Sequence, residues 1–281
     1  MVSRHQIKKA IKILEEASTE GFKEITDELQ HTLKGLKKNI HEMDEYYRIT
    51  SQDMGKAQVI YGFDEKFFAE LNIEHSFPVQ NFIADWMVKQ SDWRYPWCLL
   101  LPTRPNYAEG CVKSTLVYLC TNNFTLNDAV NHVKRKLNKP IGTDPQMFRV
   151  KRLNHEGIID DYDVPHGQIK FMFSIDYFPY LSIEQIRDYI KNIEKVLRPG
   201  GEALLHITDA DNEDEWKSVV GKQRTYCNIE IVKDFAKQFN LNYNNVYHID
   251  SMYTFFHLSK PGEISTQKKY LTKIEKYWLL T

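Results

Sequence analysis

The chain has 281 residues, and its 37 lysines and arginines against 38 aspartates and glutamates leave a formal net charge of −1. This balance excludes the strong field of one sign with which a protein attracts nucleic acid or anionic lipid. The chain is long enough to bury a sizeable core, either in one large domain with an appendage or in two modest domains.

The cysteines and histidines show no ligand pattern. The four cysteines, at positions 98, 111, 120 and 227, have no paired spacing, and the ten histidines are scattered. We therefore predict free thiols in a reducing compartment, cytoplasmic or otherwise intracellular, and no bound metal. No apolar run has the length of a membrane span and no segment resembles a signal peptide, so we expect no insertion in a membrane.

Residues 1–50 have the pattern of a long helix or a helical hairpin. Apolar side chains recur at alternating steps of three and four over residues 22–47, which is typical of a narrow helical seam. A shorter stripe begins at Ile7 and loses its phase at Gly21, which predicts a break near residues 18–21. Two interpretations of the seam remain: it packs on the chain's own core, or it forms a coiled coil that joins subunits or a protein partner.

The next residues, 51–95, form a helical lead-in, with a helix predicted over 77–90. From residue 96 to residue 262, short apolar runs alternate with helical patterns. The runs have the length and the β-branched or aromatic content of strands. They are WCLLL (97–101), TLVYLC (115–120), MFRVKRL (147–153), IKFMFSI (169–175), EALLHIT (202–208) and YTFFHLS (253–259).

Helical patterns lie between these strands, at 125–137, 182–197 and 228–239. Alternation of strand and helix predicts a parallel sheet with helices on both faces. The basic cluster at 134–139 fits the solvated face of the first of these helices, so no nucleic-acid partner is expected. The tail, residues 263–281, has the aromatic stripe of a C-terminal helix that docks on the domain or binds a partner.

The second half of this region resembles a known family. The segment GQIKFMFSIDYFPYLSIEQIRDYIKNIEKVLRPGGEALLHITD is similar to the fourth and fifth strands, with the helix between them, of class I S-adenosylmethionine-dependent methyltransferases. The later YNNVYHIDSMYTFFHLSKPGE resembles their sixth and seventh strands. The resemblance spans about residues 80–262 and implies an α/β, Rossmann-like sheet. Within it, Ser182 and Gln185 predict a capped helix start, and Pro199 and Gly200 predict the helix end and a turn.

The number of strands decides where the cofactor loop lies. If TLVYLC were the first strand, only about fifty residues would lie between it and the strand at 169. This is too few for two further strand and helix units. We therefore assign WCLLL as the first strand, TLVYLC as the second and FRVKRL as the third. Cys120 then follows the first loop by about twenty residues, where dinucleotide-type folds place a ribose-binding acid.

Two of the anchoring regions depart from the family pattern. The loop after the first strand, PTRPNY (102–107), has no glycine before Gly110, although the close approach of a ligand favours glycine. Pro105 also removes an N–H donor from this loop. The second strand ends at Cys120 instead of an acid, whose charge would strengthen a hydrogen bond to the ribose.

The resemblance still implies a set of cofactor-binding candidates: Thr103, Asn106, Cys120, Glu156 and Asp176. Glu156 matches an acid near the adenine amine, or is an ordinary loop carboxylate. Asp176 matches the residue that faces the methyl-transfer region, or caps the helix that follows. His206 is a candidate general base or a structural strand residue. No catalytic residue is assigned.

Two functions are compatible with these features. The departures favour a methyltransferase-fold protein with an eroded S-adenosylmethionine site, which acts as a structural or interaction module assembled through residues 22–47, as a homo-oligomer or with a protein partner. The alternative is an active methyltransferase for an oxygen or nitrogen acceptor, because such a transfer mainly requires positioning. The active protein requires S-adenosylmethionine, and the scaffold requires no cofactor.

Overall fold

Seven strands of the described residues form one sheet. The computed structural model describes residues 4–19, 26–60, 76–91, 97–100, 116–120, 148–151, 164–221 and 224–262. The strands are β1 Trp97–Leu100, β2 Leu116–Cys120, β3 Phe148–Lys151, β4 Ile169–Ser174, β5 Leu197–His206, β6 Asn242–Ile249 and β7 Tyr253–Ser259. Their order in the sheet is β3-β2-β1-β4-β5-β7-β6.

The pairing confirms the predicted sheet. Strands β3, β2, β1, β4 and β5 pair in parallel, and β7 lies antiparallel between β5 and β6. Strand β1 lies between β2 and β4, as expected when WCLLL is the first strand and the chain reverses its direction of winding beside it. The alternative, in which TLVYLC is the first strand, is wrong.

Six α-helices lie in the described part of the chain: α1 Arg4–Thr19, α2 Thr26–Ile60, α3 Phe77–Ser91, α4 Ile183–Val196, α5 Glu213–Val220 and α6 Ile229–Gln238. The structure confirms the helices predicted at 77–90, 182–197 and 228–239. Helix α5 was not predicted. The helix predicted at 125–137 and the tail 263–281 lie outside the described residues. Within the described segments, no helix is long and apolar enough to cross a bilayer.

Helices cover both faces of the sheet at β4. All six residues of β4 are buried, as is usual for a central strand of a parallel sheet. On one face, Met172 belongs to a cluster with apolar side chains of α4 and α6. On the other face, the Trp86 ring of α3 lies 5.9 Å from the Phe171 ring and 6.4 Å from the Phe173 ring.

Helix α4 begins at the predicted cap and ends within one residue of its predicted limit, but the segment that follows it is not a separate turn. The Ser182 side chain accepts the N–H of Gln185, and the Gln185 side chain accepts the N–H of Ser182. The helix ends at Val196, and β5 already begins at Leu197. The LRPGG segment is therefore the irregular start of a strand, and the prediction of a separate turn at Pro199 and Gly200 is wrong.

Backbone pairing explains this difference. Gly200 donates its N–H to the Lys260 carbonyl at 3.0 Å, and Lys260 donates to the Gly201 carbonyl at 2.9 Å. The register between β4 and β5 shifts after Ile169, and Gly200 has a φ of 69°. A β-carbon on Gly201 would lie 2.8 Å from the Arg198 carbonyl oxygen. The glycines therefore let the chain bulge while it remains in the sheet.

The N-terminal residues form a helical hairpin, in agreement with the predicted break. Helix α1 ends at Thr19 and α2 begins at Thr26. An ion pair between Glu15 and Lys37, with 2.7 Å between the charged atoms, links the two helices. Helix α2 continues to Ile60, beyond the boundary that the sequence suggested at residue 50.

The described part of the α2 seam lies against the chain itself. Leu33 is buried, and Met43 packs against an apolar cluster that includes Ile183 and Trp216. Lys8 of α1 forms an ion pair with Asp211, just before α5. The hairpin therefore packs on the α/β part of the chain. Association of subunits through residues 22–47 stays a prediction.

Candidate functional site

A group of polar and aromatic side chains meets where β4 and β5 end and β7 begins. Ligands of open α/β sheets bind at this carboxyl edge. Asp176 follows β4, His206 ends β5 and Tyr253 begins β7. Tyr180 belongs to the 3₁₀ turn Phe178–Tyr180, and Arg224 lies between α5 and α6. We call these five residues the edge cluster.

Asp176 has an unusual backbone conformation. Its φ is 57°, in the left-handed region, where a residue with a β-carbon pays roughly 1–2 kcal/mol. The Asp176 N–H donates to Nδ1 of His206 at 3.1 Å, and its Oδ1 lies 3.4 Å from the same nitrogen. Only 8% of the residue is exposed. Strain of this kind is retained only where surrounding contacts enforce it, and it concentrates at functional sites.

Asp176 does not cap the helix that follows it. The N-cap of α4 is Ser182, and the 3₁₀ turn has no side-chain cap. Of the two predicted roles of Asp176, the structure therefore rules out the helix cap.

The geometry assigns His206 a structural contact and opposes its role as a general base. The ring is fully buried, with its centroid 4.9 Å from the Tyr253 ring and 5.5 Å from the Phe255 ring. Because Nδ1 accepts the Asp176 N–H, the neutral ring carries its proton on Nε2. Its single lone pair is therefore engaged, and the ring cannot accept a proton from a substrate without losing this contact.

Tyr180 and Arg224 form the second half of the edge cluster. Burial raises the pKa of the Tyr180 phenol; the Arg224 guanidinium, which hydrogen-bonds to it, opposes this rise, and the Asp176 carboxylate adds to it. Arg224 also donates to the Met252 carbonyl at 2.7 Å and lies 5.9 Å from the Tyr253 ring centroid. The phenol thus stays protonated at neutral pH, and its oxygen accepts the hydrogen bond of Arg224.

Glu215 of α5 supports Arg224 from the interior. The residue is fully buried, its Oε2 accepts the Asp209 N–H at 2.7 Å, and its Oε1 accepts the Thr254 hydroxyl. Its Oε2 lies 3.9 Å from Nη1 of Arg224. Burial raises the pKa of Glu215 to about 7, against the opposing effects of Thr254 and Arg224. A neutral and an ionised form of this carboxyl are therefore both accessible near neutral pH.

The structure places only part of the predicted site. Thr103, Asn106 and Glu156 lie outside the described residues. Cys120 is the last residue of β2, at the same edge of the sheet as Asp176 but separated from β4 by β1. In the described segments, no group of three or more His, Cys, Asp or Glu side chains is arranged to hold a metal ion.

Sequence reasoning missed Tyr180, Glu215, Arg224 and Tyr253. One signal for Glu215 was present: Asn212 is followed by three acidic residues, which is typical of a capped helix start. Arg224 carries no such signal, because it lies outside the segments that resemble the family and reaches the site only through tertiary packing. Tyr253 begins a predicted strand within such a segment, but nothing in the strand pattern marks it as a site residue.

The strand order and the polar carboxyl edge define the class of the fold: it is the class I S-adenosylmethionine-dependent methyltransferase fold. No protein-family profile matches the sequence. No curated protein matches it either.

The fold is similar to those of solved methyltransferase structures. Magnesium protoporphyrin IX methyltransferase from Synechocystis PCC 6803, with bound SAH, is similar at a TM-score of 0.55 and 10% identity, over 73% of this chain and 99% of that chain. The same enzyme with bound SAM is similar at a TM-score of 0.52 and 11% identity, over 73% of this chain and 97% of that chain. At these identities the similarity concerns the fold.

Proposed function

We propose that the chain is an S-adenosylmethionine-dependent methyltransferase that acts on an oxygen or nitrogen acceptor. The buried Asp176 carries this proposal: its left-handed φ and its contact with His206 hold a carboxylate at the carboxyl edge of the sheet, where ligands of such folds bind. The similar structures hold SAM or SAH, which supports the same cofactor here.

Within the edge cluster, the Asp176 carboxylate is suited to a cationic ligand. S-adenosylmethionine, when bound, supplies an electrophilic methyl group on a positively charged sulfonium. A nearly buried carboxylate attracts such a charge more strongly than a carboxylate in water does. In this proposal Asp176 faces the sulfonium, and Thr103, Asn106, Cys120 and Glu156 hold the rest of the cofactor.

The remaining residues of the edge cluster are suited to orienting the acceptor. The Tyr180 phenol lies near the Asp176 carboxylate, the Arg224 guanidinium hydrogen-bonds to this phenol, and both groups carry hydrogen-bond donors. Methyl transfer depends mainly on holding the nucleophile in line with the methyl group. We propose that these two donors supply that orientation.

Calorimetric titration of the full chain with S-adenosylmethionine and S-adenosylhomocysteine tests the proposal. The first ligand has a sulfonium and the second a neutral thioether, so the ratio of the two affinities isolates the effect of the charge. Asp176→Asn removes the carboxylate charge, and asparagine tolerates a left-handed φ. We expect this variant to bind S-adenosylmethionine about five-fold more weakly or worse, with little change for S-adenosylhomocysteine.

The matched control is Asp188→Asn, on the exposed side of α4, where the carboxylate pairs with Arg187. This variant should bind both ligands like the wild type. A folded wild-type protein that binds neither ligand would contradict the proposed function. An equal loss of affinity for both ligands would remove Asp176 from the neighbourhood of the sulfonium.

A second candidate function rests on different observations. The loop PTRPNY contains no glycine, and β2 ends at Cys120 instead of an acid. These features favour the non-catalytic module, assembled as a homo-oligomer or with a protein partner through residues 22–47. In this case the folded chain binds no S-adenosylmethionine, and light scattering gives the mass of more than one chain or a partner co-purifies. The mass of a single chain, together with ligand binding, would reject the module.

A further inference from the structure

We propose that His206 is the positioning residue of the site: its Nδ1 holds the peptide N–H of Asp176 and thereby maintains the left-handed turn that places the Asp176 carboxylate. This inference rests on the proposed function in so far as Asp176 contacts the cofactor. It replaces the general-base role that the sequence suggested for His206.

The peptide N–H of Asp176 needs a partner outside the sheet. The pairing of β4 with β5 ends at Ser174 and Leu205, so the chain has left the ladder before residue 176. A buried backbone donor is almost always paired. Here the acceptor is the His206 imidazole, at 3.1 Å from the amide nitrogen.

The imidazole is a fixed acceptor. His206 is the last residue of β5 and pairs across the sheet with Phe255 of β7. Its ring lies between neighbouring aromatic rings, those of Tyr253 and Phe255. Since the ring is fully buried and both neighbouring rings lie within 5.5 Å of it, it cannot rotate away without disturbing them.

The left-handed turn at Asp176 determines the position of its carboxylate. With Asp176 at a φ of 57°, its Oδ1 lies 3.4 Å from Nδ1; because the unprotonated Nδ1 cannot donate to a carboxylate, the backbone N–H is the contact that holds the turn. The carboxylate also lies close enough to Tyr180 to raise the pKa of its phenol. If the N–H contact were lost, the strained turn would relax toward the ordinary φ region, and the carboxylate would move away from this position.

Two substitutions distinguish the role of the hydrogen-bond acceptor of His206 from that of its aromatic ring. His206→Asn keeps an acceptor, because the asparagine Oδ1 takes the place of Nδ1, but it removes the ring. His206→Phe keeps the aromatic packing but removes the acceptor. The full chain carrying each substitution is titrated with S-adenosylmethionine and S-adenosylhomocysteine, and hydrogen exchange of the Asp176 amide is followed in the absence of ligand.

We expect His206→Phe to lower the ratio of the S-adenosylmethionine affinity to the S-adenosylhomocysteine affinity by as much as Asp176→Asn does. His206→Asn should keep the wild-type ratio. The Asp176 amide should exchange slowly in the wild type and in His206→Asn, and at least about ten-fold faster in His206→Phe. A purely structural histidine predicts the reverse order, with the phenylalanine variant closer to the wild type, and would overturn the proposal.

The test distinguishes this inference from the proposed function. If the folded wild type binds neither ligand, the proposed function fails, and the amide exchange series alone still decides the role of His206. If the phenylalanine variant does not fold, the imidazole nitrogen spectrum of the wild type decides. An unprotonated Nδ1 in the neutral ring agrees with the proposal, and a protonated Nδ1 overturns it.

Discussion

Glu215 couples the edge cluster to the pH of the solution. Its carboxyl has a pKa of about 7 in the folded chain, against an ordinary value of 4.5, because it is buried. Between these two values the folded state holds a proton that the unfolded state has lost. The free energy of unfolding therefore falls as the pH rises through this window.

We predict that Glu215→Gln removes this dependence. From about pH 5 to about pH 8 the wild type should lose roughly 2.5 kcal/mol more unfolding free energy than the variant, as measured by urea denaturation. Glu213→Gln, an exposed carboxyl of the same helix, is the control and should behave like the wild type. Parallel curves for the wild type and Glu215→Gln would show that Glu215 does not titrate in this range.

The sequence identified two residues of the edge cluster, Asp176 and His206, and missed the other three. Asp176 was recognisable because its segment resembles a known motif. Its left-handed φ was not, because aspartate adopts this conformation in only a small fraction of cases. Tyr253 joins the cluster through the His206 ring and Arg224 through Tyr180, and both contacts form only after the chain has folded, so no local pattern could have marked them. Thr103, Asn106 and Glu156 stay predictions.

Among the elements, the strands were predictable and the LRPGG segment was not. Short apolar runs with β-branched or aromatic residues located β1 to β5 and β7 within a few residues, since such runs have few alternatives. Proline and glycine in LRPGG normally mark a turn. Here the hydrogen bonds of Gly200 and Gly201 with Lys260 keep the segment in the sheet, and this long-range pairing is invisible in the local pattern.

A pair of glycine substitutions tests this account of the bulge. A β-carbon on Gly201 would lie 2.8 Å and 2.9 Å from two backbone carbonyl oxygens, whereas Gly35 of α2 has nothing within 4 Å. We expect Gly201→Ala to lower the unfolding free energy by about 2 kcal/mol or more. Gly35→Ala should raise it by roughly 0.5–1 kcal/mol, because alanine is the better helix former.

Chemical denaturation of both variants checks the prediction. Equal stability of Gly201→Ala and the wild type would mean that the backbone at the start of β5 can shift to admit a side chain. A measured rise of the unfolding free energy in Gly35→Ala would show that the region around Gly35 is helical in solution.

For the molecule as a whole, the sheet order was predictable and the docking of the helical hairpin was not. The spacing of the strands left one assignment of the first three strands that accommodates every unit, and the resemblance to the methyltransferase family implied the sheet that they form. The apolar pattern of the α2 seam was compatible with two interpretations, because the same stripe can pack on the chain's own core or on a partner helix. The structure places Met43 of this seam on the cluster around Ile183 and Trp216.

We predict that a carboxylate at this contact releases the hairpin. Met43→Asp places an unpaired charge against the apolar cluster and should cost about 2 kcal/mol or more of unfolding free energy. Tyr46→Asp places the same group at a side chain that is 60% exposed, and it is the matched control. Hydrogen exchange of the α2 amides should accelerate in the first variant alone. Equal exchange in the two variants would contradict the docking of α2 on this cluster.

The contact between α2 and the cluster at Ile183 and Trp216 also has a consequence for synthesis. The hairpin precedes this cluster in the chain, so it leaves the ribosome before its docking surface exists. A contact of such long sequence separation forms late. During elongation, the part of this chain that can cover the seam of α2 is a neighbouring segment such as α1. Substitutions that weaken the pairing of α1 with α2 should therefore reduce the yield of soluble protein more than they reduce the stability of the finished fold.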